Sequence, residues 1–170
     1  MAMTVTSRGY REWGQTVKPA KGGEQAMPRI KKTISINAPV EKVFEFFIEP
    51  MHLLEIWPSL MEVRDVKKSP DGDVISWQWV YKMAGIRLEG SGNDIEHITN
   101  QRIVTWTKGG AESTQTWLFQ PETGGTKVTF EVEYKVPIKV LGKLAEAIII
   151  KMNEHEGDTL LANLKAVMEA

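Results

Sequence analysis

The chain has 170 residues, 42% hydrophobic and 25% charged, and its 21 Lys and Arg against 22 Asp and Glu leave a net charge of -1. A chain of this length suits one domain and buries roughly 70% of its unfolded surface, while so even a charge balance gives no footing for a nucleic-acid partner. With no cysteine, a disulfide framework, a thiolate nucleophile and a cysteine-held zinc or iron–sulfur centre are excluded, and a reducing compartment is compatible.

Residues 1–28 are rich in Gly, Lys, Thr and Gln, contain Lys18-Pro19-Ala20-Lys21-Gly22-Gly23 and hold no sustained period. They are expected to be a flexible N-terminal extension ahead of a domain over 29–170, with Met27 as an alternative start. Tyr10, Trp13 and Val17 are the residues by which the extension would dock on a neighbour or over a pocket mouth. No apolar block of a signal peptide is seen, and the longest apolar run, Ala147 to Ile150, is far short of the roughly 20 residues of a membrane span. The expected location is cytoplasmic, without an integral membrane segment.

Ile30, Ile34 and Ile36 alternate with Arg29, Thr33 and Ser35 as a first strand would. Asn37-Ala38-Pro39-Val40-Glu41 then predicts a helix start, with Asn37 or its successor as cap, Pro39 in the first turn and Glu41 favouring the dipole. Val43, Phe44, Phe47 and Ile48 give that helix its apolar stripe. Pro50 stops it, and a second short segment over Met51 to Leu60 carries Trp57-Pro58. Six further strands follow, near 61–67, 74–83, 86–95, 102–107, 113–120 and 126–136. Ser69-Pro70-Asp71-Gly72, Ala84-Gly85, Thr99-Asn100, Gly109-Gly110 and Thr123-Gly124-Gly125 separate them. Connections this short cannot make parallel crossovers, so an antiparallel meander is predicted, closed by one long helix over about 139–168.

This order resembles the helix-grip fold of the START-like superfamily, which includes polyketide cyclases and aromatases, pollen-allergen-like proteins and coenzyme Q-binding proteins. The local text is similar as well: Ile36-Asn37-Ala38-Pro39-Val40-Glu41-Lys42-Val43-Phe44, Trp57-Pro58, Gln101-Arg102-Ile103, and Phe119-Gln120-Pro121 with Gly125-Thr126-Lys127-Val128. The resemblance covers residues 30–168 and implies an α+β fold, a seven-stranded antiparallel sheet curved around a long C-terminal helix with two short helices after the first strand. It specifies scaffold and hardly any ligand.

The chemistry is expected on the concave face. Ile75, Trp77, Trp79, Tyr81 and Met83 share one side of their strand, Ser113, Gln115, Trp117 and Phe119 the inner row of another, and Val128, Phe130, Val132 and Tyr134 that of the last. One at a time these rings are accounted for by core packing; as a set they favour a ligand chamber. On the terminal helix Leu141, Leu144, Ala145, Ile148, Met152, Thr159, Leu160, Asn163 and Val167 recur at helical steps. His155 falls on that face, either projecting into the chamber as a proton-handling group or solvated beside Glu154 or Glu156. The expected pocket is Trp57, Trp77, Trp79, Tyr81, Trp117, Phe119, Phe130, Tyr134, Ile148, Met152 and His155. Gly157 hints at a bend or a close approach.

Other constellations yield little. Asp94, Glu96 and His97 read as a solvated strand end, Arg87 and Glu89 as an exposed pair, and Gly90-Ser91-Gly92 as a bulge rather than a phosphate loop. Three dispersed histidines, with His52 the third, match no metal spacing, no nucleophile elbow occurs, and no cofactor is called for. Three function classes remain. The first is a carrier or sensor of a hydrophobic small molecule such as a lipid, isoprenoid or polyketide. The second is an enzyme resembling polyketide cyclases and aromatases, with His155 and Tyr81 or Tyr134 handling protons. The third is an interaction module, either a homodimer through Tyr10 and Trp13 or a membrane contact through Lys139, Lys143 and Leu144.

Overall fold

A computed structural model describes residues 27–71, 73–135 and 146–170. The expected extension up to residue 26, and the opening of the terminal helix with Lys139, Leu141, Lys143, Leu144 and Ala145, lie outside the described residues. Within them the chain runs β1 (Arg29–Ile36), α1 (Val40–Ile48), a one-turn 3-10 helix (Pro50–His52), α2 (Leu53–Ile56), β2 (Leu60–Lys68), β3 (Val74–Met83), β4 (Ile86–Ile98), β5 (Arg102–Gly109), β6 (Glu112–Glu122), β7 (Gly125–Lys135) and α3 (Glu146–Met168). The strands form one seven-stranded sheet in the order β1-β7-β6-β5-β4-β3-β2, antiparallel at every step. This is the α+β helix-grip arrangement anticipated from the chain order.

Local chemistry sets the joints. Ala84 and Gly85 close the β3–β4 hairpin at φ 48° and 82°, the left-handed pair that a two-residue type I′ turn requires. Asn37 does not cap α1. The first helical bond runs from the Val43 N–H to the Pro39 carbonyl at 3.1 Å, and the Asn37 N–H is held by Glu169 at 2.7 Å. Rigid Pro39, at φ -59°, sets the entry instead of a capping side chain. At the far end Glu49 is extended, as a residue before proline prefers, and the His52 ring stacks on Phe46 with Nδ1 2.9 Å from the Phe46 carbonyl.

The core forms two clusters. In one, Val43, Phe44 and Phe47 of α1 meet Trp117, Phe119 and Phe130 of the sheet and Leu160, Leu161 and Leu164 of α3. In the other, Trp77, Trp79, Met83 and Leu88 gather with Val63, Ile30, Tyr134 and Ile149. On the convex face Val80 is fully buried between its cross-strand neighbours Glu62 and Glu89, and these carboxylates pair with Arg64 and Arg87. At the end of the strand order, β2 pairs irregularly with β3, its register slipping after Leu60, Arg64 and Lys67, and Asp65 sits at φ 54°.

Candidate functional site

The alternation of β3 sends Trp77, Trp79, Tyr81 and Met83 to the concave side, where all four wall one cavity. Directly across, in register, Gly92 faces Trp77 and Gly90 faces Trp79. A Cβ on Gly90 would come within 2.3 Å of the Trp79 ring and 2.0 Å of the Lys108 carbonyl, and one on Gly92 within 2.6 Å of the Trp77 ring. These glycines are therefore seats on which the indoles lie against the sheet. The bulge expected of Gly90-Ser91-Gly92 is absent there, and the register irregularity of β4 falls between Asp94 and Glu96.

Above the indoles, between the sheet and α3, lies a cavity of about 110 Å³. Six of the predicted residues wall it: Trp57, Trp77, Trp79, Tyr81, Phe130 and Tyr134. Trp57, at the end of α2, stands edge-on to both Tyr81 and Phe130, 6.4 and 5.7 Å between centroids. Trp117 and Phe119 do not reach the cavity. Helix α1 covers their end of β6, so Trp117 packs 4.5 Å from Phe47 and Phe119 packs 5.2 Å from it.

The predicted face of the terminal helix is also corrected. Ile148 is 60% and Met152 47% exposed, and His155 is exposed as well; the Thr159 hydroxyl bonds back to the His155 carbonyl at 3.1 Å. The wall is built from Asn153, Glu156, Gly157 and Leu160, with Ile149 fully buried before them. The predicted phase is one residue out. Three consecutive isoleucines, 148–150, leave the inner one unmarked, whereas stepping back from Leu164 and Leu160 by helical turns reaches Glu156, Asn153 and Ile149. Gly157 marks a close approach to β1 and no bend is needed: a methyl there would stand 3.5 Å from Lys32 and 3.6 Å from Ile30.

Glu156, absent from the predicted set, is the carboxylate of this wall. Tyr81 donates its hydroxyl to Oε2 and the Ser59 N–H donates to Oε1 at 2.9 Å. Burial first, then the neighbouring Glu156 charge, push the Tyr81 phenol far above its ordinary value, so it remains a proton donor. Three other buried polar atoms on the wall, Trp57 Nε1, Trp79 Nε1 and the Tyr134 hydroxyl, have no hydrogen-bond partner among the described residues. Asn153 lies beside Tyr134 without completing a well-formed bond, and burial raises that phenol too. Across the cavity Ser113 and Thr107 share a hydroxyl bond of 2.8 Å, and Gln115 donates to Ser113 at 3.3 Å.

A second polar group sits apart from the cavity. Asp94, expected on a solvated face, turns inward in phase with Leu88, Gly90 and Gly92, opposite buried Thr105, and the irregularity between Asp94 and Glu96 brings His97 onto the same side opposite buried Ile103. Ile95 takes the outward place, 61% exposed. Thr105 donates to Asp94 at 2.7 Å, and burial drives the Asp94 carboxyl up to about 6. His97 stacks on Phe44 and holds Nδ1 3.0 Å from Asp73. Among the described residues no group of three His, Asp or Glu is placed to hold a metal.

Comparison with known proteins gives a consistent picture. The family described as polyketide cyclase / dehydrase and lipid transport matches residues 27–169. None of the curated proteins compared with the sequence matches it. Among solved structures, a Thermus thermophilus protein is 21% identical with a TM-score of 0.70, covering 82% of this chain and 95% of its own. A START superfamily protein from Mycobacterium smegmatis is 16% identical with a TM-score of 0.58, covering 79% and 97%. The Zhui aromatase/cyclase of Streptomyces sp. R1128 is 11% identical with a TM-score of 0.64, covering 82% and 94%. At these identities the likeness is one of fold.

Proposed function

Because the chain belongs to the polyketide cyclase / dehydrase and lipid transport family, we propose that it binds and carries a hydrophobic small molecule, a lipid, isoprenoid or polyketide, in the cavity between sheet and α3. The observation that carries this reading is the hollow itself, walled by Trp57, Trp77, Trp79 and Phe130 at one end of a helix whose other end is packed solid. An apolar cavity of about 150 Å³ takes up one benzene ring, and sites for drug-sized ligands run to about 300–1,000 Å³. The hollow of about 110 Å³ is smaller than either, so it holds the compact end of a guest and not the whole of one. No helix among the described residues is long and apolar enough to cross a membrane.

The test is a titration of intrinsic tryptophan emission with methyl esters of fatty acids and with aromatic polyketides. A saturable change that is lost in Trp77→Phe/Trp79→Phe is expected; no saturable change with either series overturns the reading.

One observation favours an enzyme as the second reading, in line with the aromatase/cyclase name of one structural neighbour. Tyr81 and Glu156 put a proton donor and a carboxylate in contact on the cavity wall, a pairing that general acid–base catalysis uses. Against it, both Glu156 oxygens are already engaged in tying α3 to β3 and to Ser59. Recovery of the bound polyketide unchanged supports a carrier. Conversion by the wild type and not by Glu156→Gln supports the enzyme.

A further inference from the structure

We infer that the end of the ligand buried in this chamber carries a neutral oxygen acceptor, best a ketone- or ester-type carbonyl, and is not a hydrocarbon or a free acid. This rests on the binding reading above and narrows it to a chemical class.

The polar atoms of the wall divide unevenly. Glu156 takes the Tyr81 and Ser59 donors and the Ser113 hydroxyl is engaged by Thr107 and Gln115, while the amides of Asn153 and Gln115 also stand on the wall. Lys135, the one lysine among the described residues of the wall, is paired with Glu112 at 2.6 Å. The atoms left over are the two indole N–H groups of Trp57 and Trp79 and the Tyr134 hydroxyl. An indole N–H can only donate. Trp79 and Tyr134 are each 6% exposed, find no acceptor among the described residues and line the chamber, from which a guest can supply one.

A buried donor without an acceptor is costly, and an acceptor supplied by the guest recovers that cost. A carbonyl oxygen does so and brings no proton of its own needing a partner. An alcohol also offers an oxygen acceptor but has to place its own proton, on an amide of Asn153 or Gln115. A free carboxylate would share a small apolar hollow with the Glu156 carboxylate, and two like charges so placed oppose each other. A hydrocarbon fills the space and leaves the donors unpaired. The flat seat of Trp77 and Trp79 over Gly92 and Gly90 suits a planar carbonyl-bearing ring.

The experiment uses four probes of one size, acetophenone, 1-phenylethanol, ethylbenzene and benzoate, titrated into the full chain and followed by proton–nitrogen correlation NMR, which resolves each indole N–H. Acetophenone is expected to bind about tenfold more tightly than ethylbenzene, the scale of one or two recovered hydrogen bonds, and to move the Trp79 and Trp57 N–H signals. 1-Phenylethanol should fall between them, and benzoate should bind least. Tyr134→Phe, which keeps the ring and removes only the hydroxyl, should weaken acetophenone about threefold to tenfold and leave ethylbenzene unchanged, which controls for a disturbed chamber. Equal binding of acetophenone and ethylbenzene, or a lead for acetophenone undiminished in Tyr134→Phe and without movement of the Trp79 N–H signal, overturns the inference and leaves the chamber standing. So does saturation by fatty esters with no binding of any of the four. If the esters fail too, the binding reading itself falls.

Discussion

The two ends of α3 meet the same sheet in different ways. Toward its C-terminus Leu160, Leu161, Leu164 and Met168 belong to a dense cluster with Phe44, Phe47, Trp117 and Phe119; toward its N-terminal half the helix spans a hollow floored by Trp77 and Trp79. Aromatic content is high at both ends, so it does not decide which end is open. Two other features decide it. Helix α1 inserts its phenylalanines at the solid end alone, and glycines at 90 and 92 let the indoles of the other end lie down instead of standing up into the gap.

Truncating the solid end should cost most. Leu164→Ala, at a fully buried position, and Phe119→Ala are each expected to lose about 3–4 kcal/mol of stability in urea unfolding, without changing affinity for a guest in the chamber. An equal loss of affinity would show that the two ends are not separate. Gly90→Ala comes next, at about 2–3 kcal/mol, because its methyl would meet a backbone carbonyl as well as a ring. Gly92→Ala meets only the ring and should cost less, and near-ultraviolet circular dichroism should report indole displacement in both.

Asp94 offers a test by pH. Its carboxyl, ordinarily near 3.8, stands at about 6 in the folded protein, so between about pH 4 and 6 the folded state holds a proton that the unfolded chain has released. Stability from this group is full below that window and is lost as pH rises through it. Asp94→Asn should therefore gain about 2 kcal/mol at pH 7 and flatten the stability profile between pH 4 and 6, as measured by urea midpoints across the window. The smallest effect is expected at Gly157→Ala. A methyl fits there at ordinary contact distance, and helix propensity should add about 0.5–1 kcal/mol while reducing the space for a guest, a split visible by comparing thermal midpoint with affinity.

Much of this was legible before any coordinates. Proline stops, two-residue turns and strand alternation depend on neighbours in sequence, and the sheet order followed from connections too short to cross over. The Trp–Gly seats were legible too, since counting outward from the Ala84-Gly85 turn pairs Trp79 with Gly90 and Trp77 with Gly92. The helix phase was not legible from Ile148-Ile149-Ile150, where every choice is apolar. Glu156 was hidden for a different reason. A carboxylate faces inward only because Tyr81 and the Ser59 N–H meet it there, and neither partner is near it along the chain. Asp94 was legible by the same count, two residues beyond Gly92 on the inward side, whereas the register slip after it, which turns His97 inward, is something alternation cannot foresee.

The uneven pairing of β2 has a consequence beyond the site. A flat strand ending an open sheet invites a like strand from another molecule to dock along it. Here β2, one of the two edge strands, slips in three places, twists at Asp65 and carries Glu62, Arg64, Lys67 and Lys68. That edge presents no continuous ladder for a second chain to extend.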